Sequence, residues 1–265
     1  MRLVLVGDDG SPAAARAVAW ATRLAGERDA QLTVVHITTT GEDVPVDDDA
    51  VDHVVVRDSH PASAIMNAAA DLGADVIVLG RRGRGGFPSL PIGTTVHSVA
   101  GACGRPVVVV PLVDLAPDAP LLRHVVVGLD GHAGSASAAA WAVRHCGAAR
   151  FTAVHALEHV PALVDGGTES TADLHERATA LLRDSWSRPL RDAGVDLDLV
   201  VDGGDAADVI LATAEDVGAD LVVVGRQDRG TTCGILGGVS QRVLAYAPCA
   251  AGIVQPSPQP SGGQP

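Results

Sequence analysis

Gly80-Arg81-Arg82-Gly83-Arg84-Gly85-Gly86-Phe87-Pro88-Ser89-Leu90-Pro91-Ile92-Gly93-Thr94-Thr95 follows Val76-Ile77-Val78-Leu79 and runs into Val96 to Ala102. The four apolar residues before it are too few and too β-branched for a helix, so they predict a buried strand. The residues after it predict a short helix. The order is therefore strand, glycine-rich loop, helix start. Glycines let backbone N–H groups approach an anion, and a helix start adds unsatisfied donors and the positive end of a dipole. Arg81, Arg82 and Arg84 place positive charge in this loop, although the whole chain carries a net charge of −13. That local reversal of sign points to an anionic ligand. The competing reading is a solvated surface loop whose glycines only serve turns.

Upstream, Leu3-Val4-Leu5-Val6 predicts a first strand and Gly7-Asp8-Asp9-Gly10 a turn. Ser11-Pro12 then reads as N-cap and first helical position. Gln31 to Ile37 predicts a second strand, and Thr38 to Asp52 an acidic loop in which Asp47-Asp48-Asp49 is solvated. Val54-Val55-Val56 predicts a third strand. Pro61 to Leu72 predicts a helix stopped by Gly73. Val107 to Val110 is the fifth strand.

Beyond a linker the pattern starts again. Val6-Gly-Asp-Asp-Gly10 returns as Val127-Gly-Leu-Asp-Gly131, Trp20 as Trp141, and Val35-His36 as Val154-His155. Gly73-Ala-Asp-Val-Ile-Val-Leu-Gly-Arg81 returns as Gly218-Ala-Asp-Leu-Val-Val-Val-Gly-Arg226. Self-similarity over such a stretch marks a tandem repeat. The second copy holds extra residues around Thr171 to Ala193, where Leu174, Ala178, Leu181, Leu182 and Trp186 recur at helical spacing. It should therefore carry a helix between its second and third strands that the first copy lacks. The expected division is residues 1–112, a linker over 113–122, residues 123–255, and a disordered tail over 256–265. Each copy alternates strand and helix, which makes each an α/β, doubly wound, five-stranded parallel sheet. Ligands of such sheets sit at the carboxyl ends of the strands. Asp9 and the Gly80 loop both lie there.

Composition narrows the classes. Apolar residues make up 47% of the chain and aromatic residues 2%, which suits buried parallel strands under alanine-rich helices. All 19 basic residues are Arg, the mark of a GC-rich and hence bacterial coding bias. The negative charge argues against nonspecific nucleic-acid or membrane binding. The apolar runs are of strand length, and the chain enters a strand straight after Met1-Arg2, so neither a membrane span nor a signal peptide is expected. Cys103, Cys146, Cys233 and Cys249 show no CxxC spacing, which fits free thiols in a reducing cytoplasm.

These residues resemble the universal stress protein family in a tandem, two-domain arrangement. Gly80-x2-Gly83-x9-Gly93-Thr94 matches the family's nucleotide pattern G-x2-G-x9-G-S/T, and Gly7-Asp8-Asp9-Gly10-Ser11 is similar to its first-strand turn. The resemblance implies an adenine-nucleotide alpha-hydrolase-like fold with strand order 3-2-1-4-5. It also implies binding of ATP or ADP, with or without Mg2+, in some members and no single biochemical activity. By that resemblance Gly7, Asp9 and Ile37 flank the adenosine, and Asp8 is a further candidate nucleotide-binding residue. Gly80, Gly83, Gly93, Thr94 and Thr95 line the phosphates through backbone N–H groups and hydroxyls, and Arg81 is a further candidate nucleotide-binding residue. Val96 stands where binding members often have a hydroxyl.

The second loop departs from the pattern. Asp228 replaces the second glycine, and if Gly237 and Gly238 match Gly93 and Thr94 the loop is one residue shorter. Asp130, Gly225, Gly237, Gly238 and Ser240 remain as a weaker second site. His155-Ala-Leu-Glu158-His159 fits a zinc-peptidase spacing, but that chemistry needs both histidines on one helix face, and His155 ends a strand. The P-loop needs a lysine, and there is none.

The expected function is a cytoplasmic, nonenzymatic stress-response sensor or switch that binds adenine nucleotide and acts on an unknown protein partner. A nucleotide-free interaction module of the same fold and a slow ATPase are the alternatives. The fifth strands would otherwise be exposed apolar edges, so the two domains should pair through them as an intrachain pseudo-dimer, with a further homodimer open.

Overall fold

The computed structural model describes residues 1–38, 51–58, 60–84, 90–113, 119–158, 170–226 and 236–256. The acidic stretch at Asp47, part of the linker, Asp228, His159 and most of the C-terminal tail lie outside the described residues.

The first domain runs β1 (Leu3–Asp8), α1 (Pro12–Arg28), β2 (Gln31–Thr38), β3 (Asp52–Arg57), α2 (Pro61–Asp71), β4 (Val76–Gly80), α3 (Thr94–Ala102) and β5 (Val107–Val110). The second runs β6 (His124–Gly128), α4 (Ala133–Cys146), β7 (Arg150–Leu157), α5 (Thr171–Leu181), a π-helical turn (Leu182–Trp186), α6 (Arg188–Asp192), β8 (Leu197–Gly203), α7 (Ala206–Asp216), β9 (Leu221–Gly225), α8 (Gly238–Tyr246) and β10 (Ala250–Val254). Local chemistry accounts for the boundaries. Ser11 Oγ accepts the Ala14 N–H at 3.1 Å and Pro12 supplies a preset φ, so α1 starts there. Gly73, at φ +71°, ends α2 in the left-handed region that a glycine enters without strain. α3 starts two residues before the predicted Val96 because Gly93 already serves as its N-cap.

All ten strands form one sheet in the order β3-β2-β1-β4-β5-β10-β9-β6-β7-β8. Each half has the order 3-2-1-4-5, with parallel pairing inside the half. The halves join where β5 and β10 pair antiparallel, Val108 opposite Gly252. All four β5 valines are buried, so the apolar edge of each half is covered by the other.

Successive strand residues face opposite sides. Leu3, Leu5, Val107, Val109, Ala251 and Ile253 belong to one core, under α2, α3, α7 and α8. Val4, Val6, Val108, Val110, Ala250 and Val254 belong to the other, under α1, α4 and α6. Both cores run through both domains without a break at the seam.

The inserted helix differs from its prediction. Leu174 and Leu181 are exposed, whereas Ala178, Leu182 and Leu190 are buried. The π-helical turn adds a residue to the repeat and rotates the apolar face, and Pro189 restarts the helix as α6. His155 lies in β7, so the zinc-peptidase spacing finds no helix. Among the described residues no helix is long and apolar enough to cross a membrane.

Candidate functional site

The carboxyl ends of β1 and β4 carry the first candidate site. Gly80 closes β4, and a Cβ there would lie 2.5 Å from the Ala13 carbonyl oxygen. A side chain at this position would push β4 off the first turn of α1, so glycine is a packing requirement. Gly7 and Asp8 close β1 beside it.

The two aspartates of the turn divide their work. Asp8 Oδ1 accepts the Gly10 N–H at 2.7 Å, and Oδ2 lies 3.2 Å from His36 Nδ1. His36 Nε2 meets His53 Nδ1 at 2.8 Å, with the rings stacked. Burial lowers the His36 pKa below its ordinary value, against the pull of Asp8. Asp8 is thus committed to the α1 side of the sheet. Asp9 faces the glycine loop. Its Oδ1 accepts the Ser11 N–H at 3.0 Å and its Oδ2 the Arg84 N–H at 2.8 Å. A Cβ on Gly83 would collide with that Oδ2, so only glycine lets the carboxylate reach the loop backbone. Arg84 Nη2 also donates to the Gly10 carbonyl at 2.9 Å.

The loop base is pinched shut. The Gly93 N–H donates to the Arg81 carbonyl at 2.9 Å, and the Arg81 N–H to the Val110 carbonyl at 2.9 Å. Gly93 caps α3 without a side chain, so Thr94 and Thr95 present first-turn N–H groups and their hydroxyls at the same edge. Ile37 is partly buried and packs on the α2–α3 core.

The side chains of Arg81 and Val96 are bonded and packed as follows. The Arg81 guanidinium donates to the Ala247 carbonyl, at the end of α8 in the other domain. Burial lowers its pKa from the usual arginine value. Its guanidinium therefore lies at the seam between the halves. Val96 is 3% exposed and packs into the core. Gly93 and Gly237 are equivalent N-caps, which pairs Val96 with Ser240. Ser240 is buried and donates to the Gly225 carbonyl at 3.2 Å. The hydroxyl at this position makes a backbone contact in the second domain, and Val96 replaces it with apolar packing.

The second candidate site keeps part of this frame. Burial would raise the Asp130 pKa, but Ser135 Oγ at 2.6 Å and the His132 N–H at 2.9 Å hold it below the ordinary carboxylate value. Gly225 abuts Gly134 of α4 as Gly80 abuts α1. Gly238 opens α8 after its cap. Arg226 Nη1 donates to the Gly101 carbonyl at 2.8 Å and the Cys103 carbonyl at 3.2 Å. This seam contact and that of Arg81 were missed in the sequence, although both arginines sit at the same place in the repeat. The described cysteines are free thiols, and burial pushes Cys249 up to about 12.

Comparison with known proteins places this geometry among relatives. The model of the universal stress protein family matches residues 1–53, 47–111 and 122–255. The match to the first half comes in two segments that overlap at residues 47–53, at the start of β3; in the second half α5 and α6 lie between the corresponding strands. Universal stress protein Rv2623 of Mycobacterium tuberculosis is 30% identical over 282 residues, covering 92% of this chain and 93% of its own. The crystal structure of a universal stress protein from Archaeoglobus fulgidus shares the fold with a TM-score of 0.64, at 16% identity and 97% coverage of each chain. A putative universal stress protein from Pseudomonas aeruginosa also gives 0.64, at 17% identity, covering 97% of this chain and 94% of its own.

Proposed function

The chain belongs to the universal stress protein family, and on that premise we propose that its first domain binds an adenine nucleotide and acts as a nonenzymatic sensor in a stress response. The ligand is ATP or ADP, with or without Mg2+. The observation that carries this reading is the meeting of Asp9 with the glycine loop beside the side-chain-free cap of α3. Asp9, Gly7 and Ile37 would hold the adenosine. The N–H groups of Gly83, Thr94 and Thr95 would hold phosphate oxygens, each contributing roughly 1.5–3 kcal/mol to a charged partner. Free thiols accord with work in the cytoplasm. Against the slow-ATPase reading, the two carboxylates of the turn are engaged, Asp8 with His36 and Gly10, and Asp9 with two backbone N–H groups.

One observation favours the alternative of a nucleotide-free interaction module. Asp9 and the Gly93 N–H are already satisfied within the chain, so an empty site costs no buried polar group. Mass spectrometry of the ligand released from freshly purified protein separates the two. Calorimetric titration should give close to one ATP or ADP per chain. No binding at millimolar nucleotide would leave the interaction module as the function.

A further inference from the structure

Neither α3 nor α8 has a basic residue in its last turn. The carbonyls that end such a helix have no cation of their own to meet. Each helix receives one from the other half, from the residue that follows Gly225 or Gly80. Arg226 follows β9, and its N–H donates to the Val254 carbonyl of β10 at 2.8 Å. The sheet therefore fixes its backbone. From there Nη1 donates to the Gly101 carbonyl at 2.8 Å and the Cys103 carbonyl at 3.2 Å, so one guanidinium clamps the end of α3.

The start of α3 is the first candidate site. Gly93 caps it with no side-chain hydrogen bond, and the His97 N–H donates to the Gly93 carbonyl at 3.0 Å. No side chain there fixes the direction of the Thr94 and Thr95 N–H groups. The nine residues of α3 rise only about 13 Å, so the helix turns as one body. Val96 and Val99 anchor its middle in the core. About that anchor, whatever holds the far end sets the aim of the near end.

We propose that Arg226 is a positioning residue for the first site: a side chain of the second half holds α3 in the direction in which its first-turn N–H groups meet phosphate. This rests on the nucleotide reading of the first domain and makes that site depend on the other half. Adenosine carries no phosphate for α3 to hold, so Arg226 should matter to ATP and not to adenosine.

Calorimetry of Arg226→Met, which keeps most of the apolar stem, tests this. The Kd for ATP should rise about fivefold or more, with that for adenosine unchanged. Equal losses for both ligands, or a loss for neither, overturn the proposal. Arg226→Lys returns a cation to the carbonyls, and its Kd for ATP should lie between those of wild type and Arg226→Met. It carries the same test if Arg226→Met does not fold. A second measurement needs no ligand. Amide exchange followed by NMR should quicken in Arg226→Met at Gly93 and His97, beyond any change in β1. Quickening confined to Cys103, whose N–H donates to the Val99 carbonyl at 2.8 Å, marks a local cap and overturns the proposal. A wild type that binds neither ATP nor adenosine overturns the nucleotide reading, and the exchange then decides whether Arg226 sets the direction of α3.

Discussion

Arg81 and Arg226 cross the seam between the domains in opposite directions, each bonded to the carbonyl end of a helix in the other half. A cation there faces the negative end of the helix dipole, and its hydrogen bond is charge-assisted. Arg81→Met keeps most of the apolar stem and removes these contacts. It should destabilise the chain by about 1.5–3 kcal/mol, read as a lower midpoint in urea with an unchanged slope. A midpoint equal to wild type would show that the Arg81 contact adds nothing to the stability of the seam.

Gly83→Asp should weaken ATP binding at least tenfold, a loss of about 1.4 kcal/mol or more. The new side chain would collide with Asp9 and set carboxylate against carboxylate where Arg84 N–H now sits. Calorimetry checks it, and binding that survives Gly83→Asp but vanishes with Asp130→Ala would place the ligand in the wrong domain for this reading.

His145 should make stability depend on pH. It is 9% exposed, and burial, helped by Arg144 and Arg28, lowers its pKa from 6.5 to about 4. The unfolded chain therefore takes up the proton first. Its contribution to stability is complete above pH 6.5 and is lost as pH falls toward 4, on the order of 3 kcal/mol in all. His145→Leu should flatten the urea midpoint across that window. A wild-type midpoint that does not fall there would contradict the assignment.

Ser11→Ala should cost about 0.5–2 kcal/mol, the usual loss of an N-cap. Ser11 is 6% exposed, so water has little access to replace its hydroxyl at the Ala14 N–H. Thermal denaturation of Ser11→Ala beside Ser11→Thr checks this, with Thr expected to retain most of the stability.

The strands were legible because Val76 to Leu79 and Val107 to Val110 are buried on both faces and read as unbroken apolar runs. The start of α1 was legible because Ser11-Pro12 acts within one turn. The paths of Arg81 and Arg226 were not, because an arginine beside glycine reads as loop charge and its carbonyl partner comes from the distant half. The rotation at Leu182 was hidden for a related reason. The spacing Leu174, Ala178, Leu181 fits an unbroken helix, and the π-helical turn shows only when those side chains are placed against the sheet. In the candidate site, the pairing of Asp9 with Gly83 could be expected from strand ends on one edge. The burial of Val96 could not, since helix phase after a glycine cap is undetermined until the cap is located.

The antiparallel joint of β5 with β10 turns the carboxyl ends of the two halves toward opposite rims of one sheet. No single small ligand can touch both candidate sites. In a symmetric pair of separate, identical chains, each substitution appears twice, and a change that ruins one binding edge ruins both. Fusion removes that constraint. One rim can keep its aspartate and glycine loop while the other diverges, and the shared cores hold the altered half in register. Fusion thus gives the continuous sheet a direction, from one half to the other, that a symmetric pair of identical chains lacks.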